Sequence, residues 1–235
     1  MLSDVTIIIA PKDWYSLAVE QLRAVLQTSA AVHELIYLVS PPHPREVDEE
    51  LERACREHPH LRVIRADEEL VNPYAMRQAA LEQVTTRYAV FLGNDAFPHQ
   101  SWLEALVAAA EDEPTALVVQ PLILERSSTH DDSLHVWWDE PRLLRLGGEE
   151  GAAHLLVTRF DNKMVAKQQA ECQRILGRQW LSFLEDHALL VRTAAFARGS
   201  PPLWDPRACH RREFFDLAWT VAGATAEFCS RRPRW

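Results

Sequence analysis

The sequence predicts an α/β fold, a single domain built on a doubly wound, mostly parallel sheet with helices on both faces. Three observations carry this. Strand-like and helix-like segments alternate along the first 124 residues, a pattern that implies right-handed crossovers between parallel strands. The strand-like segments are short continuous apolar runs, as strands covered on both faces require. Finally, 235 residues with 47% apolar content are enough for one sizeable core.

The elements follow in order. "VTIIIA" (5–10) is a β-branched run of buried-strand type, and "WYSLAVEQLRAVLQ" (14–27) sets Ala18, Leu22, Val25 and Leu26 on one helical face. "HELIYLVSPP" ends a second strand on prolines, "REVDEELERACREH" is a charged helix, and "LRVIRA" is a third strand. "NPYAMRQAALEQV" starts a helix at Asn72, with Pro73 in the first turn where its missing N–H costs nothing. "YAVFL" is the fourth strand, "SWLEALVAAAED" a helix capped by Ser101, and "ALVVQPLIL" the fifth strand. Ligands of such sheets bind beyond the carboxyl ends of the strands. Pro11 to Asp13, Ser40, Asp67, Asn72 and Gly93 to Asp95 should therefore share one rim.

From residue 125 to about 160 no clean period is found, and turn formers mix with two tryptophans. A long excursion of this kind reads as a lid or binding loop. Beyond it "KMVAKQQAECQRIL" reads as helix, "FLEDHALLVR" as strand, "HRREFFDLAWTVAG" as helix and "ATAEF" as a short last strand. The expected domain spans 1–228, with residues 229–235 as a tail. No G-x-G-x-x-G or G-x-x-x-x-G-K-[ST] occurs, and the one glycine pair, Gly147–Gly148, is read as lying in a loop without a preceding strand.

A formal net charge of -9 excludes a phosphate backbone as the main partner, since nucleic-acid affinity rests on Lys and Arg; no nucleic acid is expected. The N-terminal stretch has no basic region ahead of its apolar run, and no run reaches membrane-spanning length, so the expectation is a cytoplasmic chain without a transmembrane segment. Cys55, Cys172, Cys209 and Cys229 are scattered and read as thiols in a reducing compartment.

The fourth strand runs into Gly93-Asn94-Asp95. In extended chain, residues i and i+2 face one side, so a D-x-D triplet there aims two carboxylates at one divalent cation and the diphosphate it holds. Only Asp95 can do this here. Either the triplet is a site with one carboxylate or it is a turn closing a strand. His99 and His210 are possible replacement ligands, though a lone histidine is more often a surface or core residue.

Taken together, "VTIIIAPKDW", "HELIYLVS", "NPYAMRQAALEQVTTRYAVFLGNDAFPHQSWLEAL", "ALLVRTAAF" and "REFFDLAWTVAG" fall in an order and spacing that resembles family-2 glycosyltransferases, which have the GT-A fold. The resemblance covers nearly the whole chain. Its most specific part, Asn72 to Leu106, looks like that family's run of Arg-bearing helix, strand, D-x-D triplet and Trp-Leu helix.

The resemblance implies a nucleotide-binding half, 1–124, and a sugar and acceptor half, 125–228. Pro11, Lys12 and Asp13 match the loop that cradles base and ribose, and Arg77 matches a helix Arg near the nucleotide. The competing account of Arg77 is a solvated helix face. Asn94 and Asp95 match the last two places of D-x-D, with Asp95 as metal and diphosphate ligand. "RREFFDLAW" matches the acidic helix start whose carboxylate deprotonates the acceptor, with Glu213 and Asp216 in two acidic places. Glu185 and His187 lie on a strand matching the sugar and acceptor side, where alternation would put both on one face. A buried ion pair or a hydrogen-bonded core histidine is the alternative for them.

The chain departs from the family pattern in four places. Gly93 replaces the first Asp of D-x-D, Ser40 and two prolines stand where an Asp commonly reads the base, Gln78 replaces an Asn, and Phe214 takes the place of the usual base Asp. The implied activity is transfer of a sugar from a nucleoside diphosphate, UDP by preference, to a glycan, lipid or protein hydroxyl, by inverting displacement assisted by Mn2+ or Mg2+. Gly93 and Phe214 motivate the alternative, a catalytically weakened relative that binds a nucleotide-sugar or partner.

Overall fold

The computed structural model describes residues 2–10, 15–67, 73–121, 123–126, 134–136, 142–146, 153–157, 164–166, 184, 187–196 and 202–204. By its internal contacts the chain forms two compact units, one of Met1–Pro121 with Glu185–Trp235 and the other of Leu122–Leu184.

The first unit is a six-stranded mixed sheet in the order β3-β2-β1-β4-β11-β5. Its strands are β1 (Val5–Ala10), β2 (Glu34–Val39), β3 (Leu61–Arg65), β4 (Tyr88–Gly93), β5 (Val118–Val119) and β11 (Ala188–Arg192). The first four run parallel, and β11 is antiparallel to both β4 and β5. Helices α1 (Ala18–Thr28), α2 (Arg45–Glu57), α3 (Pro73–Leu81) and α4 (Trp102–Asp112) make the crossovers. Strands β1 and β4 are buried along their whole length, which is why their sequences are continuous apolar runs. The one polar residue inside β1, Thr6, shares a 2.9 Å hydroxyl bond with Thr86.

On α1 the buried face holds Ala18, Leu22, Val25 and Leu26, as the period predicts, and also Gln21. α2 buries Val47, Leu51 and Ala54 together with Glu50, which is 6% exposed. Arg23 grips the Glu50 carboxylate through two bonds of 2.9 Å, and Arg53 adds two more. Led by the Arg23 bond, these outweigh burial and hold Glu50 down at about 2. A carboxyl whose folded pKa lies below its unfolded value contributes stability that is present above the unfolded pKa. That contribution is lost as pH falls through the folded pKa, here from about 4.5 towards about 2. Both arginines are about half exposed, so the bonds are screened on one side. Glu50→Gln is expected to cost about 2 kcal/mol at neutral pH. Urea unfolding at pH 7 and pH 3 checks it: the gap between wild type and variant should shrink at pH 3.

Several expectations change. Ser101 stands at the N-cap of α4, but at φ 61° it is left-handed and its side chain makes no capping bond. A serine caps from extended backbone, which aims its hydroxyl at the first-turn N–H groups; here Trp102 N donates instead to His99 O. The fifth strand is only Val118–Val119, because Pro121 has no N–H to continue a ladder.

The second unit holds a three-stranded antiparallel sheet, β10-β7-β6, of β6 (Leu124–Arg126), β7 (Leu134–Val136) and β10 (Met164–Ala166). A separate antiparallel pair is formed by β8 (Arg142–Leu146) and β9 (Ala153–Val157). The stretch expected to be an aperiodic loop thus carries strands, and Met164–Ala166 is strand where a helix is expected. Gly147–Gly148 does follow a strand, β8. That strand pairs antiparallel with β9, the next strand described, and Gly147–Gly148 themselves lie outside the described residues. The rest of the expected helix 163–176, the helix from His210 and the strand "ATAEF" lie outside the described residues.

Cys55, on α2, is a part-buried free thiol whose pKa burial pushes up. Among the described residues no helix is long and apolar enough to cross a membrane.

Candidate functional site

The strand order turns at β1. From there the chain builds outward through β2 and β3, then crosses back to lay β4 on the other side of β1. From β1 the chain leads to β2 on one side and from β4 to β5 on the other, and a doubly wound sheet binds ligand where its order reverses, beyond the carboxyl ends of such strands.

Gly93, the last residue of β4, stands at that switch point. It pairs with Ala10 at the end of β1, and the next residue, Asn94, donates its N–H to Ala10 O at 3.2 Å. Gly93 N donates to His187 O at 2.8 Å, while Gly93 O accepts from Gln21 Nε2 at 3.2 Å and from Ala96 N at 3.1 Å. Strands β1 and β4, helix α1 and the residue before β11 therefore meet at one peptide. Gln21 is a positioning residue that the sequence pattern did not reveal, because a glutamine on a helix face ordinarily reads as solvated.

Asn94 is buried, whereas the Asp95 side chain is 38% exposed. The Asp95 carboxylate leans back over Gly93: a Cβ built on the glycine would lie 2.6 Å from Asp95 Oδ1. A side chain at 93 would have to push that carboxylate aside, so this seat exists because residue 93 has none. Asp95 Oδ2 lies 3.8 Å from Nε2 of His187, whose side chain is 23% exposed. A core histidine is therefore not what His187 is. It stands at the rim beside the one carboxylate of the triplet.

Arg77 is also not on a solvated face. It is 1% exposed, with its guanidinium 5.1 Å from the Tyr74 ring centre and 5.9 Å from that of Trp204. Trp204 in turn meets Phe91 of β4 edge-on at 4.4 Å. Gln78 holds this arrangement, its Oε1 accepting from Leu203 N at 3.0 Å and Trp204 N at 3.5 Å. Arg77 thus braces β4 from beneath through an aromatic layer.

At the end of β2, Tyr15 OH donates to Ser40 O at 3.0 Å and accepts from Ser40 N at 2.9 Å. His43 stands against the Tyr15 ring at 5.6 Å and lies 3.2 Å from Ser40 O and 2.9 Å from Asp48. Burial alone would raise the Asp48 pKa, but Arg65 and His43 outweigh it and hold it below its ordinary value. This rim, where the resemblance leads one to expect an Asp, carries a polar network that a local sequence signal does not expose.

His99 is exposed, with Nδ1 3.1 Å from Gln100 O. Pro11, Lys12, Asp13, Glu185, Glu213, Phe214, Asp216 and His210 lie outside the described residues. Of the residues expected to form the site, the described structure brings together Asn94, Asp95 and His187. Asp95 and His187 can share one divalent ion, since bonds of about 2.1 Å from each donor can span 3.8 Å. Among the described residues no group of three His, Cys, Asp or Glu side chains could hold an ion alone. Such an ion would take its remaining ligands from substrate and water.

A mixed sheet of this order, with β4 laid beside β1 and β11 antiparallel to it, defines a GT-A-like fold. The comparisons agree. The structure of GalNAc-T7 with UDP, GalNAc and Mn2+ aligns with a TM-score of 0.58 at 11% identity, over 94% of this chain and 40% of that one. The structure of S. aureus TarS 1-349 aligns with a TM-score of 0.54 at 13% identity, over 92% and 54%. The chain thus spans about half, or less, of the structures it matches. No curated protein sequence matches it. The family model described as glycosyl transferase family 2 matches residues 18–167, well over half of the chain, and the chain belongs to that family.

Proposed function

We propose that this chain transfers a sugar from a nucleoside diphosphate, UDP by preference, to a hydroxyl of a glycan, lipid or protein acceptor, with inversion. The observation that carries this is Asp95, a carboxylate offered half-exposed at the switch-point crevice of a family 2 fold. A divalent ion bound there, Mn2+ or Mg2+, would offset charge on the leaving diphosphate. The loop Pro11, Lys12 and Asp13 holds base and ribose, and Asn94 fixes the turn from which Asp95 projects. Glu185 and His187 face the sugar side. The acceptor oxygen attacks the anomeric carbon as the bond to the diphosphate breaks, and its proton passes to Glu213 or Asp216.

The competing reading is a family member that binds the donor but turns it over poorly. Gly93, which supplies no carboxylate, favours it. Titrating UDP with and without Mn2+, and following hydrolysis of UDP-sugars, separates the two. The transferase reading expects UDP to bind at least about tenfold more tightly with Mn2+, and a slow donor hydrolysis. Metal-independent binding with no donor consumed would defeat it. Gly93→Asp displaces the Asp95 carboxylate from its present seat; hydrolysis that rises above wild type in this variant would favour the weakened reading.

A further inference from the structure

We propose that His187 supplies the donor that Gly93 lacks, so that Asp95 and His187 form a mixed carboxylate–imidazole cation site that selects transition-metal ions over Mg2+. The inference rests on the reading of the crevice as a diphosphate site.

The register makes the case. In the antiparallel ladder between β4 and β11, Ala188 stands opposite Leu92, so the next pair outward is His187 with Gly93. The bond from Gly93 N to His187 O at 2.8 Å fixes that pair. Side chains of directly opposed residues on adjacent strands are immediate neighbours. The imidazole thus projects beside the place where the first carboxylate of a D-x-D triplet would stand. Asp95, two residues on from Gly93, leans into the same place, and its Oδ1 lies 2.6 Å from where the absent Cβ would be. One carboxylate and one imidazole therefore flank the vacated position, 3.8 Å apart and both reachable from solvent.

The donor types decide which ion this site favours. Mg2+ takes oxygen ligands in near-ideal octahedral geometry and sheds water reluctantly, so a nitrogen donor gains it little. First-row transition ions accept imidazole, with affinity rising from Mn2+ to Co2+. An all-oxygen pair of carboxylates would discriminate less. With His187 as donor, the site should rank Co2+ and Mn2+ above Mg2+ in holding UDP.

The test uses the full chain, UDP and each ion in turn. Calorimetry should give UDP binding to wild type at least about tenfold tighter with Mn2+ than with Mg2+, and His187→Ala should bring the two within about twofold. Pulsed electron paramagnetic resonance of the Mn2+–UDP complex should show nitrogen coupling in wild type that His187→Ala abolishes. The wild-type spectrum stands even if the variant folds poorly. If wild type shows no nitrogen coupling, or His187→Ala leaves the ion preference unchanged, His187 is not a ligand of the ion and the inference falls, while UDP binding with either ion leaves the transferase reading standing. UDP binding that needs no ion overturns both.

Discussion

Asp95→Ala is expected to abolish the dependence of UDP binding on a divalent ion and to lower consumption of a UDP-sugar by about 10²- to 10³-fold, the range seen when one preorganised charge-stabilising group is removed. The reasoning is electrostatic. A nucleoside diphosphate brings several negative charges to a rim that presents a carboxylate, and unscreened like charges a few ångströms apart repel. Asp95 helps binding only with a cation between it and the phosphates, so its removal should strike affinity with metal and spare affinity without it. The same substitution should leave the fold intact: the side chain is 38% exposed and is not one of the buried core residues among those described. A surface change of this kind ordinarily moves stability by under about 0.5 kcal/mol. Asp95→Asn, which keeps the shape and removes the charge, should behave like alanine in binding. Parallel UDP titrations with and without Mn2+, and thermal unfolding of each variant, check both halves. Metal-dependent affinity that survives in Asp95→Ala would remove Asp95 from the site.

What could be read along the chain was local. The strands β1, β2, β3 and β4 and the helices between them announce themselves because buried parallel strands are unbroken apolar runs and their helices carry one apolar face. The turn at Gly93–Asp95 was legible for the same reason, as polar residues at the abrupt end of such a run. What depended on pairing between distant segments was not. The strands of Leu122–Leu184 are three to five residues long and find their partners across loops. A run such as "RLLRL" also shows no period-two alternation. His187 was placed on the sugar side from its strand, but its nearness to Asp95 follows from the antiparallel register of β11 against β4, which neither segment encodes alone. Arg77 reads from its helix as a residue near the nucleotide or, in the competing account, as a charge on a solvated face; it is buried against Trp204, far along the chain, which a local reading does not expose. Glutamines 21 and 78 likewise act through backbone partners 72 and 125 residues away.

That aromatic layer yields the largest expected loss of stability. Trp204→Ala should cost about 3–5 kcal/mol, as large-to-small changes of buried aromatics do. Trp204 is 1% exposed, meets Phe91 edge-on at 85° and covers the face of β4 that leads into Gly93. Its ring also lies 6.2 Å from Tyr74 and roofs the Arg77 guanidinium. Alanine would remove the packed ring and also leave a buried cation with one aromatic face fewer, which adds to the cavity cost. Trp204→Phe discriminates the sources. The indole Nε1 has no hydrogen-bond partner among the described residues, so there phenylalanine forfeits volume without breaking a bond and keeps a ring over Arg77. It should cost about 1–2 kcal/mol. Chemical denaturation of the two variants measures the difference. A loss below about 1 kcal/mol in Trp204→Ala would mean that the ring does not hold β4. A Trp204→Phe cost equal to that of alanine would mean that the ring's size, not its π face over Arg77, sets the energy.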